Sequence, residues 1–283
     1  MASFTNFATL SYNGGTTNSN IVTGEILEAL TAVKTAVSAN YSAGDRITYA
    51  LSLVNTDTAA ITDYTVTDNL GGYTVGANTV YPLAYNAGTV RYYINGVLQA
   101  APTVTAGPPL TVTGLTVPAG GSAVLIYETT ATPVAPLATG SSITNTATIT
   151  GGGLTNPITA QATVETANSA DLTISKALSP TTVTENGQIT YTFVISNTGN
   201  TEATATGNVV VTDTFAPILR NIAVTYNGTA WTEGTNYTYN AATGVFTTLA
   251  GQITVPAASF TQNTDGTFTV TPGTATLVIT GTV

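Results

Sequence analysis

Lysine occurs twice in the 283 residues, as Lys34 and Lys176. The two occupy one position of an internal repeat. Residues 31–56 read TAVKTAVSANYSAGDRITYALSLVNT, and residues 173–198 read TISKALSPTTVTENGQITYTFVISNT. The alignment has no gap, and it also matches Ile47 with Ile189, Tyr49 with Tyr191 and Asn55 with Asn197. Further on, YTVTDNL (64–70) matches VVVTDTF (209–215), which pairs Asp68 with Asp213. A lysine, an aspartate and an asparagine are enough for one self-directed reaction. A buried lysine loses its proton and becomes a nucleophile. A protonated aspartate polarises the asparagine carbonyl. Attack then releases ammonia and leaves a Lys–Asn isopeptide bond. Lys34, Asp68 and Asn145 are the candidate set of the first repeat. The bland alternative is an edge lysine that snorkels to solvent, with the asparagine only hydrogen-bonding in its strand.

The elements that would position these groups are strands. Apolar and polar residues alternate in ITYALSLVN and ITYTFVISN, as in half-buried strands. Val, Ile, Thr and Tyr are abundant, and SAGD, ENG, NTGN, YNG and TDG punctuate the chain at sandwich-like spacing. This predicts an all-β protein: two tandem immunoglobulin-like β-sandwich domains plus an N-terminal hairpin. The expected divisions are 1–28 for the hairpin, 29–166 for domain 1 and 167–283 for domain 2. The stretch ETANSAD (165–171) reads as the linker.

The third match, GSAVLIYETTA (121–131) with GTATLVITGTV (273–283), raises a question of completeness. Domain 1 continues past it with SITNTATITGGGLTNPITAQATVE, two further strands. Domain 2 has no such continuation before Val283. A matching stretch opens the chain instead. FTNFATLSYNGGTTNSNIVTGE lies on the 143–165 stretch with one residue of slippage in the turn, placing Asn6 on Asn145, Ala8 on Ala147, Thr9 on Thr148 and Glu25 on Glu165. The chain thus reads as a circularly shifted two-domain unit. A sandwich without its last hairpin exposes sheet edges, and supplying them is β-augmentation. Only about six residues, roughly 20 Å when extended, separate Glu25 from domain 1, so self-completion of domain 2 is sterically poor. Completing the next molecule is head-to-tail and non-closing, which gives a filament. A swapped dimer or small ring, a chance resemblance of the two stretches, and an intramolecular edge pair are the alternatives. The polymerisation residues expected on the hairpin are Phe4, Asn6, Ala8, Leu10, Ile21 and Val22. Domain 2 has Lys176 and Asp213 but finds its matching asparagine in Asn6, so its bond would join neighbouring molecules.

The stretch ADLTISKALSPTTVTENGQITYTFVISNTG, followed by VVVTDTF, resembles the bacterial surface repeat called domain of unknown function 11. SITNTATI resembles that family's closing strand. The resemblance covers nearly the whole chain, twice. It implies an immunoglobulin-like fold, a structural role and a place outside the cell. The Lys/Asp/Asn set is also similar to that of isopeptide-bonded pilin and adhesin domains.

Composition narrows the remaining functions. Only 7% of residues are charged, which suits a protein that buries its outside against copies of itself. The net charge of −9 and the absence of a basic patch argue against nucleic acid. No cysteine or histidine is present, so thiolate metal sites and the usual general bases are excluded. No base–nucleophile pairing is recognisable, and no cofactor, metal or enzymatic activity on a substrate is expected. The acidic loop 55–63 fits no calcium motif, and GGYTVG and TGGGLTN read as turns without a phosphate-loop lysine. VRYYING (90–96) and the Trp231 region read as core or lateral contact. The expected function is a structural subunit of a self-assembling extracellular filament, pilus-like or spore appendage, whose partner is itself. The alternative is an adhesin or stalk module. No signal peptide or membrane span is visible. Release onto a spore surface by mother-cell lysis would reconcile that with an outside location.

Overall fold

The computed structural model describes residues 2–26 and 29–283. An N-terminal hairpin is built from β1 (Ala2–Asn6), β2 (Thr9–Tyr12), β3 (Gly15–Asn18) and β4 (Val22–Ile26). β1 pairs with β4 and β2 with β3, both antiparallel. Asn13 and Gly14 both have positive φ at the tip, as a two-residue primed turn requires. The hydrogen bonds of the described residues 2–26 stay within the hairpin.

Domain 1 is a sandwich of two six-stranded sheets. Its strands are β5 (Leu30–Ala36), β6 (Asn40–Tyr41), β7 (Arg46–Asn55), β8 (Ile61–Asp68), β9 (Tyr73–Val75), β10 (Asn78–Val80), β11 (Leu83–Tyr85), β12 (Arg91–Ile94), β13 (Val97–Leu98), β14 (Thr103–Ala106), β15 (Leu110–Val117), β16 (Ser122–Ala131), β17 (Ser142–Gly151) and β18 (Ile158–Thr166). One sheet runs β13-β12-β16-β7-β5, with β11 also on β16. The other runs β14-β15-β8-β17-β18-β6. Strict alternation in β7 and β16 turns Ile47, Tyr49, Leu51 and Leu53, and Ala123, Leu125 and Tyr127, into one core with Val66, Leu110, Ile143 and Ile149 of the facing sheet.

Domain 2 repeats the first sheet but not the second. Its strands are β19 (Leu172–Ser179), β20 (Gln188–Asn197), β21 (Thr212–Thr214), β22 (Arg220–Tyr226), β23 (Thr229–Trp231), β24 (Tyr237–Asn240), β25 (Val245–Thr248), β26 (Ser259–Gln262), β27 (Phe268–Thr271) and β28 (Gly273–Thr282). One sheet runs β19-β20-β28-β22-β23 and the other only β21-β25-β24. A separate core forms around Tyr191, Phe193, Phe215, Phe246, Leu277 and Ile279. The repeat extends to side-chain bonds. Asn55 Nδ2 donates to the Ala59 and Pro118 carbonyls at 2.8 and 3.0 Å, and Asn197 Nδ2 to those of Thr201 and Pro256 at 2.8 and 3.0 Å.

One expectation needs correction, and one repeat match differs in structure. Strand β18 runs to Thr166, so residues 165 and 166 belong to domain 1 rather than to the linker. The stretch VVVTDTF is a strand only over Thr212–Thr214, whereas its counterpart β8 is a strand over Ile61–Asp68. β8 is held between β15 and β17, but β21 is paired on one side only, by β25. A backbone without a second ladder has no reason to stay extended. Asn200 fastens the segment between the domains. Its Nδ2 donates to the Leu137 and Ala167 carbonyls, both at 2.9 Å, and its Oδ1 accepts from the Ser169 amide at 3.0 Å.

Candidate functional site: two lysine–aspartate pairs and a free hairpin

In domain 1, β5 and β8 lie on opposite sheets and point Lys34 and Asp68 at each other. Lys34 Nζ stands 2.5 Å from Asp68 Oδ2, and neither side chain is more than 1% exposed. Asp68 Oδ2 also accepts the Tyr127 hydroxyl, and its Oδ1 accepts the Leu70 amide at 3.0 Å. The lysine head lies 4.8 Å from the Tyr49 ring centroid and 5.9 Å from that of Tyr127. Burial pulls the Lys34 ammonium down from 10.5 to about 8, against the opposing pull of the Asp68 charge and hydrogen bond. Lysine is therefore an ion-pair partner at neutral pH, with the neutral amine within reach.

Asn145 sits on β17, two residues before Ala147, the residue that faces Asp68 across the ladder. It is fully buried, and neither side-chain atom has a hydrogen-bond partner. The neighbouring Tyr49 hydroxyl is likewise buried and unpartnered. The Asn145 amide lies close enough to the Tyr49 and Tyr127 hydroxyls to favour their ionisation slightly, without forming a well-aligned bond to either. Both phenols are nonetheless pushed above their ordinary range, chiefly by burial and then by the Asp68 charge. An orphaned buried amide costs roughly 1–3 kcal/mol, so Asn145 is an unsatisfied polar group in the same core as the two tyrosines. Of the set expected from the sequence, Lys34 and Asp68 meet as an ion pair, and Tyr49 and Tyr127 lie beside them. Tyr49 was visible as the match of Tyr191 in the repeat. Tyr127 carried no such signal, because Ile279 stands at its matched position.

In domain 2 the same pair forms in the open. Lys176 Nζ stands 2.5 Å from Asp213 Oδ2, with side chains 41% and 18% exposed. The Lys176 head lies over Tyr191, Phe193 and Phe215 at 4.5, 5.4 and 5.5 Å. β5 is packed against β18 in domain 1. Its counterpart β19 is exposed from Thr173 to Ser179, and Ile174, Leu178 and Val210 stand out as exposed apolar side chains.

The hairpin carries a second exposed apolar face. Asn6 pairs with Val22 and Ser3 with Glu25, the same register in which Asn145 pairs with Ala162 and Ser142 with Glu165. The one-residue slip falls beyond it, where Thr9 meets Asn18 while Thr148 meets Thr159. Phe4, Asn6, Ala8, Leu10, Ile21 and Val22 are all exposed. The counterparts of the first four, Ile143, Asn145, Ala147 and Ile149, are buried, as is Ala162 at the position of Val22, whereas Gln161 at the position of Ile21 is exposed. The Phe4 ring lies over Gly24, where an added Cβ would come within 2.4 Å of it. Ile143 and Val164 occupy these positions in domain 1, so a large-and-none pair replaces two medium side chains on the same patch. The structure does not bring Asn6 to Lys176 within one chain: the hairpin's hydrogen bonds are internal and Lys176 is open.

No family model matches the sequence, and no curated protein does, so the resemblance to domain of unknown function 11 stands on the residues quoted for it. Among solved structures the chain is similar to BcpA, the major pilin subunit of Bacillus cereus. Identity there is 15%, over 96% of this chain and 73% of that one, with a TM-score of 0.36. It is similar to the pilus backbone RrgB from Streptococcus pneumoniae at 13% identity, over 86% of this chain and 55% of that one, TM-score 0.36. For the N-terminal domain of the Streptococcus gordonii adhesin Sgo0707 the values are 15%, 48% and 32%, with a TM-score of 0.37. The chain thus spans about a third of that adhesin fragment and about half of the RrgB structure. No helix among the described residues is long and apolar enough to cross a membrane. The shared architecture of these two domains is the all-β, immunoglobulin-like sandwich.

Proposed function

We propose that this chain is a structural subunit of a filament outside the cell, joined head to tail by its N-terminal hairpin. The hairpin of one subunit fills the open second sheet of domain 2 in the next. The observation that carries this reading is the register of β1 and β4. It reproduces that of β17 and β18, yet its apolar face is bare, and domain 2 is open where such strands belong. β1 would pair with residues 209–214 as β17 pairs with β8, and β4 would cover β19 as β18 covers β5.

Magnitudes explain why a covalent step belongs in this reading. Burying Phe4, Leu10 and Val22 stabilises a junction by roughly 2 kcal/mol each. Association itself costs roughly 4–15 kcal/mol. Strand hydrogen bonds add to the favourable side, but such a junction stays reversible. An isopeptide bond makes it permanent. Lys34 would bond Asn145 within domain 1, and Lys176 would bond Asn6 of the neighbouring subunit. The neutral lysine amine attacks the asparagine Cγ, and the aspartate passes the displaced proton to Nδ2. The Cγ–Nδ2 bond breaks, and ammonia leaves. No oxidant or second substrate is needed. A cell- or spore-surface location goes with this reading through the resemblance and the charge-poor composition.

The test is mass spectrometry on assembled material boiled in detergent. A peptide joining Lys176 to Asn6 with one ammonia lost supports order, donor hairpin and covalent linkage together. A Lys34–Asn145 link alone leaves the polymer non-covalent. Monomers that never assemble at any concentration would remove the filament reading.

A further inference from the structure

The orphaned hydroxyl of Tyr49 is not used by the chemistry just described, and its surroundings give it a role. This inference rests on the isopeptide reading. Tyr49 is fully buried on β7, its ring stacks on Tyr127 at 5.8 Å, and its hydroxyl finds no hydrogen-bond partner. Tyr127 spends its own hydroxyl on Asp68. The remaining buried polar atoms without partners in the same cluster are Nδ2 and Oδ1 of Asn145. A buried hydroxyl left without a bond in the resting state costs stability. It is accounted for if its acceptor develops during a reaction.

We infer that Tyr49 donates a hydrogen bond to Oδ1 of Asn145 as negative charge builds there, and that Tyr191 does the same for Asn6 of a neighbouring subunit. Attack by Lys34 Nζ on Cγ places a negative charge on Oδ1. A preorganised donor in a water-excluded site stabilises that charge more than it stabilises the neutral amide. The Tyr49 phenol keeps its proton because burial and the nearby carboxylate both oppose its ionisation. The internal repeat separates the two tyrosines. Tyr49 is matched by Tyr191, whose ring lies 4.5 Å from Lys176 Nζ. Tyr127 is matched by Ile279, so the hydroxyl on the aspartate is dispensable between the copies and the one beside the asparagine is retained. When the tetrahedral adduct collapses, Cγ–Nδ2 breaks, the carbonyl re-forms and ammonia departs. The tyrosine keeps its proton throughout.

The experiment follows the Lys34–Asn145 link in the full-length chain during timed cell-free synthesis, by intact mass and peptide mapping. Wild type, Tyr49→Phe and Tyr127→Phe are compared, with Lys34→Met as the zero. Tyr49→Phe should form the link about a hundredfold more slowly. In chains that also carry Asn145→Ala, and so cannot bond, Tyr49→Phe should melt no lower than Tyr49, because the hydroxyl has no partner to lose. A link formed at the wild-type rate in Tyr49→Phe overturns the assignment to Tyr49 and leaves the isopeptide reading intact. A lower melting point for Tyr49→Phe in the non-bonding background would make the residue structural and overturn it as well. A wild-type chain that never loses ammonia overturns both readings at once.

Discussion

Domains 1 and 2 hold the same ion pair at the same length, one sealed and one open. Lys34 and Asp68 have no solvent; Lys176 and Asp213 keep it. The sequences that carry the pairs align residue for residue, although β21 is shorter than β8 and paired on one side only. The difference lies in β17 and β18, which lid the first pair and have no counterpart among residues 167–283. The comparison teaches that burial of this site is a property of the closing hairpin rather than of the repeat. A domain whose hairpin comes from the same chain seals itself on folding. On the proposed reading, domain 2 would keep its lysine hydrated until a neighbouring subunit's hairpin covered it.

The hardest way to break the comparison is to remove the lid in trans. Deleting residues 2–26 should abolish assembly and leave a monomer by sedimentation, with domain 1 still folded. Filaments from the shortened chain would show that domain 2 needs no donor. The lysines can then be separated. Lys176→Met should erase the boiling-resistant ladder on a denaturing gel, whereas Lys34→Met should leave it. The reverse result would place the inter-subunit bond in the wrong domain.

Smaller effects sharpen the contrast. Asn145→Ala leaves the Lys34–Asp68 pair but removes the proposed link, which would close a loop of over a hundred residues. By analogy with a disulfide, it should cost domain 1 about 5 kcal/mol in denaturant unfolding. Phe4→Ala, made together with Lys176→Met so that assembly is reversible, should raise the critical concentration about a hundredfold, for roughly 3 kcal/mol of lost packing. No change would mean Phe4 is not buried at the junction. The smallest effect is a pH slope. In Asn145→Ala the free Lys34 has its pKa lowered from 10.5 to about 8 in the folded state. The unfolded chain then binds more protons between those values. Stability should rise as pH climbs from about 8 to 10.5, with the penalty fully present below that window. Wild type, with its lysine consumed in the bond, should lack this slope.

Much of the architecture is legible in the sequence because its signals are local. Alternation in ITYALSLVN and ITYTFVISN places strands β7 and β20, and the matched Lys, Asp and Asn positions pick out one chemical set. VVVTDTF shows the limit. Its pattern is as strand-like as that of β8, but three residues of it are in a ladder, because pairing depends on a neighbour that pattern cannot supply. Tyr127 is the second limit. Nothing in its spacing marks it, and its role follows from facing Asp68 across the sandwich. The sequence alone determined the repeat, the strand periodicity and the identity of the candidate Lys, Asp and Asn set, since each is carried by residue type and spacing along the chain. Tertiary structure alone decided that Lys34 is sealed and Lys176 is not, that Asn145 and Tyr49 lack partners, and that the hairpin's apolar face is bare. Those depend on which sheets come to lie face to face, and burial, unlike periodicity, is a property of the assembled layers.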